Sequence, residues 1–256
     1  DSDWNRVARQ RKVLQAAAWF FIATFTTEFS PAAFEQSISL ARAAQAEPGP
    51  GADFGAVGDC DFILAASLED YAIALIERGE ITRATPLITE YMAIYQRWGI
   101  RYEMACASAS FGRIALLQGD LAQAHKLLRE AIAIAADFNL QEMLGSWQTL
   151  LGIVTLYQGD RVEAQRLLSE GLRIYLVLNA PWLTARVCTY LAELALWEGE
   201  LAQAESWLGQ SLAYYADARR LTIYEVERCW IAARLATAQQ QYQRAAMLFG
   251  LAEQMH

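Results

Sequence analysis

Gly159-Asp160-Arg161-Val162-Glu163-Ala164-Gln165-Arg166-Leu167-Leu168 is one copy of a unit that recurs along the chain. Its glycine-acid pair stands at residues 79–80, 119–120, 159–160 and 199–200, as Gly79-Glu80, Gly119-Asp120, Gly159-Asp160 and Gly199-Glu200, a fixed interval of 40. Self-similarity at about 20 to 50 residues marks a stacked-repeat architecture, in which each unit is too small to bury its own apolar face. Recognition is then expected along an extended surface and not in a catalytic pocket.

Working outward from the glycine, the columns of the repeat acquire physical meaning. Ala84, Ala124, Ala164 and Ala204 follow it by five residues, while Ala72, Gly112, Gly152 and Ala192 precede it by seven, with Ala232 in the next row. Small side chains in both columns let paired helix axes approach closely. Large apolar residues fill the complementary rows: Leu87-Ile88, Leu127-Leu128, Leu167-Leu168, Trp207-Leu208 and Met247-Leu248. Ala164, Leu167, Leu168, Gly171, Leu172 and Tyr175 form the apolar stripe of a helix.

Glycine readily takes the left-handed conformation that ends one helix, and aspartate caps the next. Asp120 with Gln123, and Asp160 with Glu163, have capping-box spacing, whereas Glu80 and Glu200 are poorer caps. Asn139 with Glu142, and Asn179 before Pro181, read as start signals for first helices. Each unit is therefore a first helix such as 140–158, a tight turn, and a second helix such as 161–178. The N-terminal part is less regular, with helices expected at 4–28 and 31–46 and a Pro/Gly-rich loop at 47–59. The expected organisation is an N-terminal helix pair (1–46), that loop, and repeats at about 60–98, 100–138, 140–178, 181–218 and 221–256, the last having lost its glycine to Gln239-Gln240.

Composition agrees with an ordered helical solid: of 256 residues 55% are hydrophobic, only 5 are proline and 15 glycine. The net charge of -8 argues against nucleic-acid binding by this chain, which needs a positive footprint. Arg6, Arg9, Arg11 and Lys12 form its one basic cluster, read as a solvated helix face. Cys60, Cys106, Cys188 and Cys229 make no CxxC pair and signal packed, reduced thiols in a cytoplasmic protein. The apolar stretch 13–29 is interrupted by polar residues and falls below a span of about 20 residues, so it reads as a buried capping helix. No initiator Met and no signal peptide are present, and the array stops inside a helix, so the chain reads as a portion of something longer.

The pattern Leu151-Gly152, Gly159-Asp160, Ala164, Gly171 resembles the tetratricopeptide (TPR) repeat, lengthened from 34 to 40 residues and lacking the proline that usually closes its second helix. The resemblance implies an all-α, right-handed superhelical solenoid of antiparallel helix pairs. The long form is similar to the TPR-like sensor regions of bacterial signal-transduction (STAND-type) ATPases, as is the ending from Arg244 to Glu253. That narrower likeness implies a sensor module attached to a nucleotide switch or an output domain.

No phosphate loop, dinucleotide fingerprint, HExxH or GxSxG is present, and the two histidines, His125 and His256, sit beside no nucleophile, so neither catalysis, cofactor nor metal is expected. Carboxylates such as Glu163, Glu170, Glu193, Glu200 and Glu205 read as solvated faces. If the stack curves as TPR arrays do, first-helix residues Glu69, Arg113, Ser146, Thr149, Arg186, Thr189, Glu193 and Cys229 line its concave wall. Arg113 and Arg186 suit a carboxylate or phosphate, with an internal pair as the alternative, Arg186 to Glu193 or Glu142 for instance. Trp147, Trp182, Trp197, Trp207 and Trp230 suit either helix seams or ligand stacking. The expected function is binding of a protein, peptide or small effector in the groove, with no direct nucleic-acid or membrane contact; the other reading is a scaffold that self-associates through its N-terminal helix.

Overall fold

The computed structural model describes residues 2–25, 29–46, 60–215 and 223–255. Those residues form α-helices joined by turns, with no strand among them. In chain order they are α1 (Ser2–Phe25), α2 (Pro31–Gln45), α3 (Cys60–Glu77), α4 (Ile81–Trp98), α5 (Arg101–Leu117), α6 (Leu121–Asp137), α7 (Gln141–Tyr157), α8 (Arg161–Val177), α9 (Pro181–Glu198), α10 (Leu201–Tyr215), α11 (Ile223–Ala238) and α12 (Tyr242–Met255). The chain divides into two compact units, Asp1–Ser110 and Phe111–His256, with the boundary inside α5. The 47–59 loop lies outside the described residues.

The turns inside each helix pair form as the glycines require. Gly79, Gly119, Gly159 and Gly199 all have φ between 76° and 90°. The residue after each donates its N–H five residues back, Asp160 to the Thr155 carbonyl at 3.0 Å and Asp120 to that of Ala115 at 2.9 Å, the bond that closes a Schellman turn. Asp120 and Asp160 then cap the next helix, their Oδ1 atoms accepting from Gln123 N at 3.0 Å and Glu163 N at 3.1 Å. The reciprocal half of the capping box is preempted, because the aspartate N–H is already engaged by the turn; the Glu163 carboxylate instead takes both arms of Arg166. Gln240 occupies the glycine's place in the last pair and adopts φ 60° itself.

Asn139 and Asn179 are not helix starts. They sit at φ 54° and 51°, in register with Gly99 at φ 69°, and terminate α6 and α8 as Gly99 terminates α4. Leu140 and Ala180 occupy the N-cap positions without any side-chain cap. Asparagine is tolerated both in the left-handed region and at N-caps, so its presence marks a helix boundary without saying on which side.

Packing follows the columns. Ala84, Ala124, Ala164 and Ala204 are fully buried, as are Ile88, Leu128 and Leu168. A Cβ on Gly112 would stand 3.0 Å from Leu128 Cγ, and one on Gly152 3.0 Å from Leu168 Cγ, so α5 meets α6 and α7 meets α8 at glycine. The row fails in α12, where Met247 is exposed because no described helix packs over that side. In unit 1, α1 packs on α2, α2 on α3 and α3 on α4; in unit 2, α6 to α12 follow the same serial order, and α9 additionally touches α7 and α11.

Two helices depart from expectation. α1 buries its small residues, Ala16 and Ala23, with Val13, and turns Leu14, Phe21, Ile22 and Phe25 outward at 45–75% exposure, so it is not a buried cap. Its close approach to α2 is fixed by the Ser37 hydroxyl, which bonds the Ala16 carbonyl and the Ser67 hydroxyl, each at 2.8 Å. α9 is the opposite case, buried continuously from Leu183 to Ala195, charged residues included. No helix among the described residues is long and apolar enough to cross a membrane. None of the four cysteines is in a disulfide, and three of them are buried.

Candidate functional site

α9 sets the site. Arg186, Tyr190 and Glu193 recur at i, i+4 and i+7, which puts them on one stripe of the helix. α11 presents Tyr224, Glu227 and Arg234 at i, i+3 and i+10, again one stripe. The two stripes meet as a ladder of three polar rungs in unit 2. Arg186 Nη1 donates to the Tyr224 hydroxyl at 2.9 Å, the Tyr190 hydroxyl donates to Glu227, and Arg234 Nη1 donates to Glu193 Oε1 at 2.5 Å. Arg113 from α5 also donates to the Tyr224 oxygen, and Tyr157 from α7 donates to Glu193 Oε2 at 3.1 Å.

The ladder is largely dry, and that sets its electrostatics. Arg186 is 5% and Glu193 4% exposed. Both guanidiniums of the first rung stack over the Tyr224 ring, Arg186 at 5.0 Å and Arg113 at 5.5 Å. Burial raises the Glu227 carboxyl to about 7, against the lowering effect of the Tyr190 hydroxyl and of Arg113 and Arg186. Neither internal partner expected for Arg186 is the one found: Glu193 is taken by Arg234 and Tyr157, and the arginine rests on a tyrosine instead.

Of the other residues expected on an open wall, Thr149 and Thr189 are buried in seams between paired helices. Thr149 bonds the Gly145 carbonyl at 2.7 Å and occupies the space beside Gly171; Thr189 pairs with Ser211 at 2.8 Å. They belong to a column that faces its own second helix, because it lies three residues before the small column at 152 and 192. Ser146 and Cys229 are partly exposed on α7 and α11. Arg186 and Glu193 stand on the first-helix face but beneath α11, not on an open surface.

Glu69 lies in unit 1, where α3 and α5 bring it together with Glu103 and Cys106, their ligand atoms all within 4.8 Å. Burial, then Glu103 and Asp70, raise Glu69 to about 8, and burial also pushes Glu103 and the Cys106 thiol up. The Tyr95 hydroxyl donates to Glu69 at 3.4 Å. The two carboxyls therefore each favour their protonated form more than a solvated carboxyl does. Two clefts of unit 1, about 600 and 580 Å³, contain charges that answer each other: Arg42 with Glu90 and Arg97 with Asp61 in and around the first, Arg83 with Glu35 at the second.

Tyr157, Tyr190, Tyr224, Glu227 and Arg234 were not singled out by sequence. The i, i+3/i+4, i+7 spacing of polar residues on two first helices was the available signal. Trp147 is packed, while Trp182 and Trp230 are exposed. Glu163 and Glu170 pair with Arg166 and Arg173 on the surface, each at 2.7 Å.

No family model and no curated protein matches the sequence. Solved structures do match the fold. The apo form of RapI aligns with a TM-score of 0.65 at 15% identity, covering 96% of this chain and 83% of that one. PilF of Pseudomonas aeruginosa aligns at 0.52 and 16%, covering 98% and 93%, and the TPR-like repeats of a kinesin light chain-type protein from Podosopora anserina at 0.50 and 20%, covering 74% and 92%. The fold is that of a TPR-like helical repeat. At these identities the likeness speaks for the fold and not for activity.

Proposed function

We propose that the chain is a non-catalytic, cytoplasmic binding module that takes a protein or peptide partner against the first helices of unit 2 and serves as the sensor part of a larger bacterial regulator. One observation carries the binding reading: charged and phenolic side chains from α5, α7, α9 and α11 converge on one ladder in a TPR-like fold. Partner binding across the ladder would favour one arrangement of the first helices and so bias an attached switch, as differential affinity for two states requires. Peptides selected against the whole chain and measured by isothermal titration test this. Binding should weaken on substituting Arg234→Ala, whose guanidinium is partly exposed; selected peptides that compete with none of the first-helix positions would defeat the reading.

A second reading has its own support in α1. Val7, Leu14, Phe21 and Phe25 are all more than half exposed and share one face. That stripe suits self-association in a scaffold. Light scattering of Leu14→Glu with Phe25→Glu decides it: a fall in mass supports the scaffold, and an unchanged monomeric mass in wild type and variant removes it.

A further inference from the structure

Six exposed residues of α1, Val7, Arg11, Leu14, Ala18, Phe21 and Phe25, follow one another at intervals of 4, 3, 4, 3 and 4. That strict alternation traces a straight seam along one side of the helix, narrower than the stripe by which a helix beds into a globular core. The core contacts lie on the other side. Val13, Ala16 and Ala23 are buried there, α2 and α3 pack on α1, and Thr24 donates to Asp70 of α3 at 3.0 Å. The positions beside the seam, Ala8, Gln15 and Ile22, are exposed and carry no charge. α2 and α3 already hold α1 as a helix, so a short seam can pair without first bearing the cost of helix nucleation.

A seam of this spacing is matched by a second helix with the same repeat, and α1 is complementary to itself when turned end for end. Antiparallel pairing sets side by side the residues whose numbers sum to 32: Val7 meets Phe25, Arg11 meets Phe21, and Leu14 meets Ala18 of the second copy. Each layer then joins a large side chain to a smaller one, or a guanidinium to an aromatic face. Parallel pairing would set Phe on Phe and Ala on Ala, giving uneven layers, and would bring Arg11 against Arg11 with Arg9 and Lys12 close by. Antiparallel pairing sends those basic residues to opposite ends and opposes the helix dipoles. Val7, Leu14, Phe21, Ile22 and Phe25, exposed at 45–75%, offer on the order of 100 Å² each, so two copies cover about 1,000 Å² of apolar surface, the area a specific interface has to clear. An anionic lipid surface fits less well, because the chain carries a net charge of -8.

We propose that α1 forms an isologous, antiparallel pair with α1 of a second copy of this chain, in the register that joins Val7 to Phe25 and Leu14 to Ala18. This rests on the scaffold reading of α1 and names its partner, orientation and register.

The test weighs the full chain by sedimentation equilibrium over a range of concentrations. A dimer that grows no further is expected, as a two-fold contact closes on itself. Ala18→Glu, at an exposed position, should weaken that dimer about tenfold or more by burying an unpaired carboxylate, and Leu14→Gln serves if the first variant does not fold. Orientation is read by disulfide trapping, with the unsubstituted chain as the control for its native thiols. Val7→Cys and Phe25→Cys chains should crosslink when mixed and not when alone, since an antiparallel pair keeps like ends about 27 Å apart. Homodisulfides from either variant alone, or a mass that climbs beyond two copies and still falls with Ala18→Glu, overturn the antiparallel pair while self-association through α1 stands. A dimer indifferent to both Ala18→Glu and Leu14→Gln removes the scaffold reading of α1 and the pair with it. So does a monomer at every concentration; if that monomer sediments with phosphatidylserine vesicles, the seam is a lipid contact instead.

Discussion

Gly79, Gly119, Gly159 and Gly199 have open space where a Cβ would sit, so an alanine there would touch nothing. The reason for glycine at these turns is therefore backbone conformation alone. Gly119→Ala and Gly159→Ala should each destabilise by about 1–2 kcal/mol, the left-handed penalty of an L residue. Gln240 bears that penalty already, so Gln240→Gly should stabilise by about 1 kcal/mol in denaturant unfolding, and no gain would show that the α11–α12 turn is held by other contacts. Gly152 is glycine for a different reason: its Cβ would press on the fully buried Leu168. Gly152→Ala should therefore lose stability despite alanine's better helix propensity, and Ala164→Leu should lose about 1–3 kcal/mol by overpacking. Unchanged melting of both would refute the α7–α8 packing register.

At the scale of elements, the caps and stripes separate what helices need locally from what packing gives them. Asp120 and Asp160 each satisfy one opening amide, so Asp120→Ala and Asp160→Ala should each cost about 1 kcal/mol. Glu80 makes no cap hydrogen bond, and Glu80→Ala should cost distinctly less; equal losses for all three would show that helix-dipole effects outweigh capping. These assignments were legible because an aspartate after a left-handed glycine has one local role. Asn139 and Asn179 were legible only as boundaries. α1 and α9 were misjudged for a common reason: periodicity reports that a stripe exists, and the neighbours decide whether it is covered. Arg186 and Glu193 have the spacing of an open wall, and α11 closes over them.

For the whole molecule, stability should depend on pH through carboxyls that keep their protons on folding. Glu69 titrates at about 8 and Glu227 at about 7 in the folded chain, both above the usual carboxylate range near 4.5. Between those limits the folded state binds more protons than the unfolded one, so stability falls as pH rises from about 5 toward 8. The denaturation midpoint should accordingly be higher at pH 5 than at pH 8, and Glu69→Gln should flatten the slope. A midpoint that rises over this range would mean that the carboxyls find countercharges on ionising.

The sequence by itself determined the helix pairs, their turns and their small-residue contacts, because each depends on residues close along the chain or one repeat apart: a glycine that must be left-handed, an aspartate that must cap, an alanine that must let a leucine in. Only the tertiary structure decided which polar residues meet. Tyr224 joins Arg113 to Arg186 across more than one repeat, and the identity of a hydrogen-bond partner carries no period. Whether an arginine lies in water or beneath a helix depends on what packs over it, and local spacing is the same in either case.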